Sequence, residues 1–264
     1  MVRAKGTTAA DELLAETVAG LPVREHGYLL PTGVPLSVPF ARVQDADWLN
    51  TQIGLQARRW PTAERRVLAT LWWYSVSQVF LTPTIASLFV TGRALSPRPD
   101  DVQLHWLPDG RVFTARSTVV LEAGAGEKDG AAACLETVAA ALRDSFEIAI
   151  PAVAGAGARR ERPLWAIGTD SLANRLLWVG RAHGEIDRAT SLARELVELI
   201  GAPMPVPRVV DVDRRPPRTG KARFVRRGSC CLVYLEPGQP KCASCPRLAA
   251  QDRRTALESA ADHA

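Results

Sequence analysis

Cysteine is scarce in this chain of 264 residues, and nearly all of it lies in one place. There are five cysteines, and outside residues 230–245 only Cys134 is found. A secreted disulfide scaffold spreads an even number of cysteines through a short chain, so that class is excluded. Histidine is scarce too: His26, His105, His183 and His263 are scattered, with no ligand-like spacing among them. No Gly-x4-Gly-Lys-Ser/Thr sequence occurs, which excludes a P-loop of the Walker type. No internal repeat is visible. The N-terminus lacks an apolar run: Met1–Lys5 is basic, but Asp11, Glu12 and Glu16 follow. That pattern predicts no secretory signal and a cytoplasmic location, where unpaired thiolates persist.

Charge is missing from Val67 to Gly92. Twenty-six uncharged residues exceed the roughly 20 needed to span a bilayer. Against insertion stand Ser75, Ser77, Gln78, Thr82, Thr84 and Ser87, and Pro83 divides the run. The expectation is a helix, a break at Pro83 and a second helix, all buried in a core; peripheral membrane association stays open. Composition is ordinary for a globular chain, 47% hydrophobic and 23% charged, and long enough for a core without disulfides.

The remaining elements follow from periodicity and punctuation. Residues 7–19 suit a short amphipathic helix, and 21–43, with four prolines and two glycines, suit loops with short extended pieces. A helix is expected over 62–80 with Thr62 as its N-cap. Pro108-Asp109-Gly110 between β-type runs 102–107 and 111–121 predicts a hairpin. Helices are expected over 131–150, with Leu135, Val138, Leu142, Phe146 and Ile150 as a core stripe, and over 164–179, 185–200 and 247–261. Residues 202–220, with five prolines, read as a connector, followed by short strands near 222–226 and 231–235 that frame a cysteine loop. The glycine-rich stretch Gly124–Gly130 is one residue too long for a dinucleotide fingerprint, and its Glu127 and Asp129 would face a pyrophosphate. Trp72-Trp73-Tyr74 places three consecutive aromatics on one helix, pointing in different directions. Cys134 reads as a small core residue.

What the chain does have is Cys230-Cys231, ten residues, then Cys242-Ala243-Ser244-Cys245. Four soft thiolates select zinc, copper(I) or an iron–sulfur cluster. A zinc ribbon normally uses two Cys-x-x-Cys knuckles. Neighbouring side chains of an extended strand point to opposite faces, so Cys230 and Cys231 share a site only if the backbone turns between them. A binuclear cluster relaxes that demand, because four sulfurs spread over two irons. Spacing alone leaves zinc and iron–sulfur both open, and a redox dithiol at Cys242 and Cys245 as a minor reading.

The stretch Ser229-Cys230-Cys231-Leu232-Val233-Tyr234-Leu235-Glu236-Pro237-Gly238, with Lys241-Cys242-Ala243-Ser244-Cys245-Pro246, resembles the C-terminal signature of the ferric siderophore reductases, the FhuF-like family. More weakly, Phe80-Leu81-Thr82-Pro83 and Pro163-Leu164-Trp165-Ala166 are similar to the body of that family. The resemblance implies a [2Fe–2S] cluster on Cys230, Cys231, Cys242 and Cys245, which would be both ligands and catalytic centre. It implies an oxidoreductase that reduces chelated Fe(III) by one electron. Its partners would be a ferric siderophore, of hydroxamate type, and an acidic electron donor such as a ferredoxin, with no nucleic acid. The expected fold is α+β: a mainly helical body with a small antiparallel sheet and a C-terminal iron–sulfur cluster segment. The body would span 1–207 and hold the siderophore; the cluster segment would span 208–264.

Charge is concentrated in that segment. Between Arg208 and Arg247 ten basic residues face three acids, a net +7 in a chain of +5, so everything else sums to −2. An oxidised tetracysteine [2Fe–2S] unit is dianionic and gains a further charge on reduction. Arg226, Arg227 and Lys241 would therefore favour its reduced state. Arg215, Arg218, Arg223 and Arg227 form the face on which an acidic donor is expected to dock. Two other readings stand beside this one: a zinc-stapled nucleic-acid-binding protein, and a non-catalytic iron–sulfur sensor or carrier.

Overall fold

The uncharged run from Val67 forms one continuous helix, α3 (Arg65–Thr91), closed by Gly92 as its C-cap, around which the rest of the chain is arranged. The structure is a computed structural model that describes residues 7–31, 36–122, 130–217 and 219–263. The expected break at Pro83 does not occur. Proline removes one backbone hydrogen bond from a helix, but Pro83 is buried and its neighbours tie the turns together. Thr82 Oγ1 donates to Gln78 O at 2.8 Å, and Ser87 Oγ donates to Thr84 O at 3.1 Å. The polar residues that argued against a bilayer also serve helix packing, since Ser77 Oγ meets Ser171 Oγ of the neighbouring helix at 2.7 Å. Among the described residues, no helix is long and apolar enough to cross a membrane. Thr62 is not the N-cap; Glu64 occupies that position without a capping bond, and Thr62 N donates to Glu236 Oε1 at 3.3 Å.

Among the described residues there are six further α-helices: α1 (Ala9–Ala19), α2 (Ala46–Leu55), α4 (Gly130–Ala156), α5 (Glu161–His183), α6 (Ile186–Ile200) and α7 (Ala250–Ala261). α1 opens with a capping box in which Thr8 Oγ1 accepts from Asp11 N and Asp11 accepts from Thr8 N. α4 runs on through Pro151, and Val138, Leu142, Phe146 and Ile150 of its stripe are fully buried. α5 lies along α3 and α6 along α5.

The hairpin forms as expected. β3 (Val102–Trp106) pairs with β4 (Val112–Ser117), and Gly110 takes φ +83° at the turn while Asp109 Oδ1 accepts from Arg111 N. β1 (Leu36–Pro39) adds a third antiparallel strand beside β3. β2 (Ala94–Leu95) and β5 (Val120–Leu121) form a separate short pair. The fold is thus α+β and mainly helical with small antiparallel sheets. Residues 124–129 of the glycine-rich stretch lie outside the described residues.

The connector holds a strand that its prolines and arginines obscured. β6 (Val209–Asp213) pairs antiparallel with β7 (Lys221–Val225), Val209 opposite Val225 and Asp213 opposite Lys221. Val212 and Ala222 of this hairpin pack on Leu257 and Ala261 of α7. The strand expected over 231–235 is absent. Leu232 adopts the left-handed conformation at φ +66°, and residues 233–235 form a 3-10 turn. β7 therefore delivers the chain to the cysteine pair, and the backbone then curls.

Candidate metal centre

Consecutive helical residues are rotated by about 100°, and Trp72, Trp73 and Tyr74 of α3 accordingly serve three regions. Trp72 stacks near Trp106 of the sheet, with centroids 6.3 Å apart. Trp73 enters the helical core, where its Nε1 donates to Leu164 O at 2.9 Å. Tyr74 faces the cysteine segment together with Val67 and Leu71 of the same helix. These three make the floor on which Cys230, Cys231, Leu232 and Cys245 are packed.

The four thiols lie in a row of neighbours. The turn between the adjacent cysteines is made just after them, by the left-handed Leu232, a conformation that costs a β- or γ-branched residue about 1–3 kcal/mol and clusters at functional sites. It lets Leu232 N donate to Cys230 Sγ at 3.4 Å. Cys230 Sγ lies 3.8 Å from Cys245 Sγ, while Cys231 hydrogen-bonds with both Cys230 and Cys242. The order in space is therefore Cys245, Cys230, Cys231, Cys242. No three His, Cys, Asp or Glu side chains among the described residues gather about a single ion. Cys230, Cys231 and Cys245 are buried, and Cys242 is half-buried and nearest to solvent.

The thiols differ in proton affinity. Cys231 is pulled well below the usual thiol range, first by hydrogen bonds from Cys230 and Cys242 and further by the charge of Arg227. Cys230 and Cys242 are pushed up, first by donating to Cys231 and then by burial. Arg227 is the cation of the site. It is 4% exposed, its Nη1 lies 3.4 Å from Cys242 Sγ, and its guanidinium sits 4.5 Å from the centroid of the Tyr74 ring. Burial acts to depress its pKa, but Tyr74, Cys231 and Cys242 reverse this and hold it above the ordinary arginine value. Its Nε and Nη2 are buried without a hydrogen-bond partner. Buried donors of that kind carry a penalty unless an acceptor arrives, and the sulfurs of a dianionic cluster are such acceptors. The donor set and the two unpartnered nitrogens of Arg227 together fit a tetracysteine [2Fe–2S] cluster.

Sequence reasoning missed Asp170 of α5, which supports this arrangement from the far side. Its carboxylate accepts from Gly228 N at 2.9 Å and 3.0 Å and from Ser229 N at 3.3 Å, and lies 3.9 Å from Arg227 Nε. Burial pushes its pKa up to about 6, opposed by those backbone donors and by Arg227 and Arg208. The available signal was that Asp170 is the one charge between Arg162 and Arg175.

The other cations grouped by sequence are dispersed. Arg226, adjacent to Arg227 in the chain, is exposed on the opposite face of the backbone. Lys241 is exposed, 5.6 Å from the centroid of Tyr234, which Arg247 also approaches at 5.9 Å. The expected docking face does not assemble from the four arginines chosen for it. Arg227 is interior; Arg223 is bound by Asp211 at 2.7 Å and Asp187 at 2.6 Å; Arg215 pairs with Asp262 at 3.1 Å; Arg218 lies outside the described residues. A +7 segment does not translate into a +7 surface, because hairpin and helix contacts neutralise part of it. Of the histidines, buried His105 pairs with Thr114 Oγ1 at 3.0 Å in the sheet, and none joins the thiols. Cys134 lies on α4, with its Sγ 3.6 Å from Gly92 O.

Arg227→Gln is expected to lower the reduction potential of the bound cluster by on the order of 100 mV, the Coulomb effect of one charge about 5 Å away at an effective dielectric near 20. Arg226→Gln should shift it far less. Spectroelectrochemical titration of the two variants checks this, and equal shifts would show that burial beside the thiols is not what matters.

Residues 227–247 match the family model described as the FhuF 2Fe-2S C-terminal domain. No curated protein matches the chain. The match begins at Arg227 and takes in all four C-terminal cysteines, and it identifies the cofactor as a [2Fe–2S] cluster.

Proposed function

We propose that this chain, whose residues 227–247 match the FhuF-type [2Fe–2S] domain, is a ferric siderophore reductase. Cys230, Cys231, Cys242 and Cys245 hold its cluster. The observation that supports this most is a set of four neighbouring thiols backed by a buried arginine, two of whose nitrogens have no hydrogen-bond partner. When bound, a [2Fe–2S] cluster accepts and releases single electrons. The residues around it exclude water: Val67, Leu71 and Leu232 cover the buried thiols, and Tyr74 closes over Arg227. The half-buried Cys242, with Lys241, Arg247 and Tyr234 beside it, is the approach for an acidic one-electron donor such as a ferredoxin. One electron from that donor converts chelated Fe(III) to Fe(II). Oxygen ligands such as hydroxamates hold Fe(II) poorly, so the iron is released and the chelator leaves intact. Residues 1–207 act as the body that carries the chelate together with the chain leading to the cysteines, and the whole operates in the cytoplasm.

The test is anaerobic stopped-flow. Protein reduced chemically and freed of reductant is mixed with ferric hydroxamate, catecholate and citrate-type complexes, with ferrozine present to trap Fe(II). One Fe(II) is expected per electron stored, at rates that depend on the chelate and without any nucleotide. Recovery of visible absorbance no faster than in the absence of every chelate would leave a sensor or carrier as the better reading. Stoichiometric zinc in anaerobically isolated protein would favour the nucleic-acid reading.

A further inference from the structure

On the opposite side of the Gly228–Ser229 backbone from the thiols lies a cavity of about 500 Å³. That volume falls within the range of small-molecule sites. Its walls are the first turns of α5, the connector after α6, and the backbone that leads from β7 to Cys230. The connector is held open against α5 by a specific contact, Thr169 Oγ1 donating to Pro205 O at 3.0 Å. Three arginines line the cavity: Arg162 from α5, Arg208 from the connector and Arg226 from the end of β7. None of the three forms an ion pair or a side-chain hydrogen bond among the described residues. The cavity also reaches Asp170, whose single negative charge is engaged by Gly228 N, Ser229 N and Arg227 and also acts on Arg208. The net lining charge is therefore positive, in a recess one residue away from a cluster ligand.

We infer that this cavity binds the ferric chelate and selects anionic chelates, with catecholate or carboxylate arms, over neutral ones. The inference rests on the reductase reading above and sharpens its substrate. Among the described residues Arg162 and Arg226 have no anionic partner and Arg208 shares only the Asp170 carboxylate, so an anionic guest would complete the charge balance of the recess. Arginine is suited to the task, since its planar fork meets carboxylate and catecholate oxygens in pairs. Charge separates the siderophore classes. Three singly charged hydroxamates neutralise Fe(III), whereas three doubly charged catecholates leave a trianion, and citrate-type ligands also leave net negative charge. A neutral tris-hydroxamate would gain little here and would leave the arginines uncompensated. That selectivity departs from the hydroxamate substrate that the resemblance implied. The position also serves the reaction, because a chelate seated against Ser229 lies beside the chain segment that ends in Cys230.

Gallium(III) complexes keep the charge and shape of ferric chelates but accept no electron, so binding can be measured apart from turnover. With the cluster-loaded, oxidised protein, Ga(III) tris-catecholate and Ga(III) citrate are expected to bind in calorimetry, with affinity falling as salt rises. Arg162→Gln, Arg208→Gln and Arg226→Gln should each weaken that binding by about tenfold, while the exposed Arg254→Gln on α7 should not. Ga(III) tris-hydroxamate should bind more weakly and be indifferent to all four changes. Neutral complexes binding at least as tightly, or anionic ones unaffected by the three cavity variants, would overturn the inference while leaving the reductase reading intact. Anionic gallium complexes binding as described, with no ferric chelate ever reduced in stopped-flow, would instead remove the reductase reading and leave a binding site.

Discussion

Cys231→Ala is expected to give folded protein with no cluster: colourless, with iron and acid-labile sulfide falling from about two each per chain to background. In the proposed site each cysteine would supply one of four ligands, and Cys231 is an inner member of the row, hydrogen-bonded on both sides by Cys230 and Cys242. It is also the thiol most ready to lose its proton, so its removal takes away the first thiolate available to a metal. Loss of the other three ligands should have the same outcome, whereas Cys134→Ser should leave iron, sulfide and the visible spectrum unchanged. Cys134 is on a different helix, and a serine hydroxyl can take over its contact with Gly92 O. Metal and sulfide analysis of anaerobically purified variants, with circular dichroism to confirm folding, decides the matter. A Cys231→Ala protein that keeps its colour, or a Cys134→Ser protein that loses it, would show that the ligand set is wrongly assigned.

The cysteine pattern was legible because ligand spacing is written in the chain, and even the need for a turn at the adjacent pair followed from strand geometry. The turn's location was not, since nothing marks Leu232 as the residue that takes φ +66°. The hairpin at Asp109-Gly110 and the buried face of α4 were legible for the same reason: each is local and periodic. Pro83 misled because its cost is local while the packing of α3 against α5, which outweighs it, is not. β6 was hidden by composition, its alternating Val209–Asp213 run lying between prolines and arginines. Arg226 and Arg227 are indistinguishable as neighbours in sequence, yet the backbone sends one to solvent and the other to the thiols. Asp170 and Gly228 are 58 residues apart, and no pattern along the chain joins them.

That distant contact yields the second large effect. Asp170→Ala is expected to cost about 3–5 kcal/mol in the stability of the cluster-loaded protein, the range for removing one partner of a buried charged pair. Three consequences combine. Gly228 N and Ser229 N lose their acceptor, Arg227 loses its nearest carboxylate, and the backbone that presents Cys230 is no longer held to α5. Asp170→Asn separates these, because an amide oxygen can still accept from the two N–H groups. The raised pKa says how the two variants should rank. An increase from 3.8 to about 6 means that ionising this carboxyl in the fold is opposed by ~3 kcal/mol, chiefly by burial. A neutral acceptor therefore meets much of what the site asks for, and Asp170→Asn should lose no more than about half as much as Asp170→Ala. The sign with pH follows. Between roughly pH 4 and pH 6 the folded protein binds a proton at Asp170 that the unfolded chain has released, so this group's contribution to stability declines as pH rises through that window. In Asp170→Asn that slope should vanish. Denaturant titrations across this range, read with the decay of visible absorbance under an iron chelator, give both quantities. Equal losses for alanine and asparagine would mean that the carboxylate's charge, rather than its acceptor geometry, holds the cysteine segment in place.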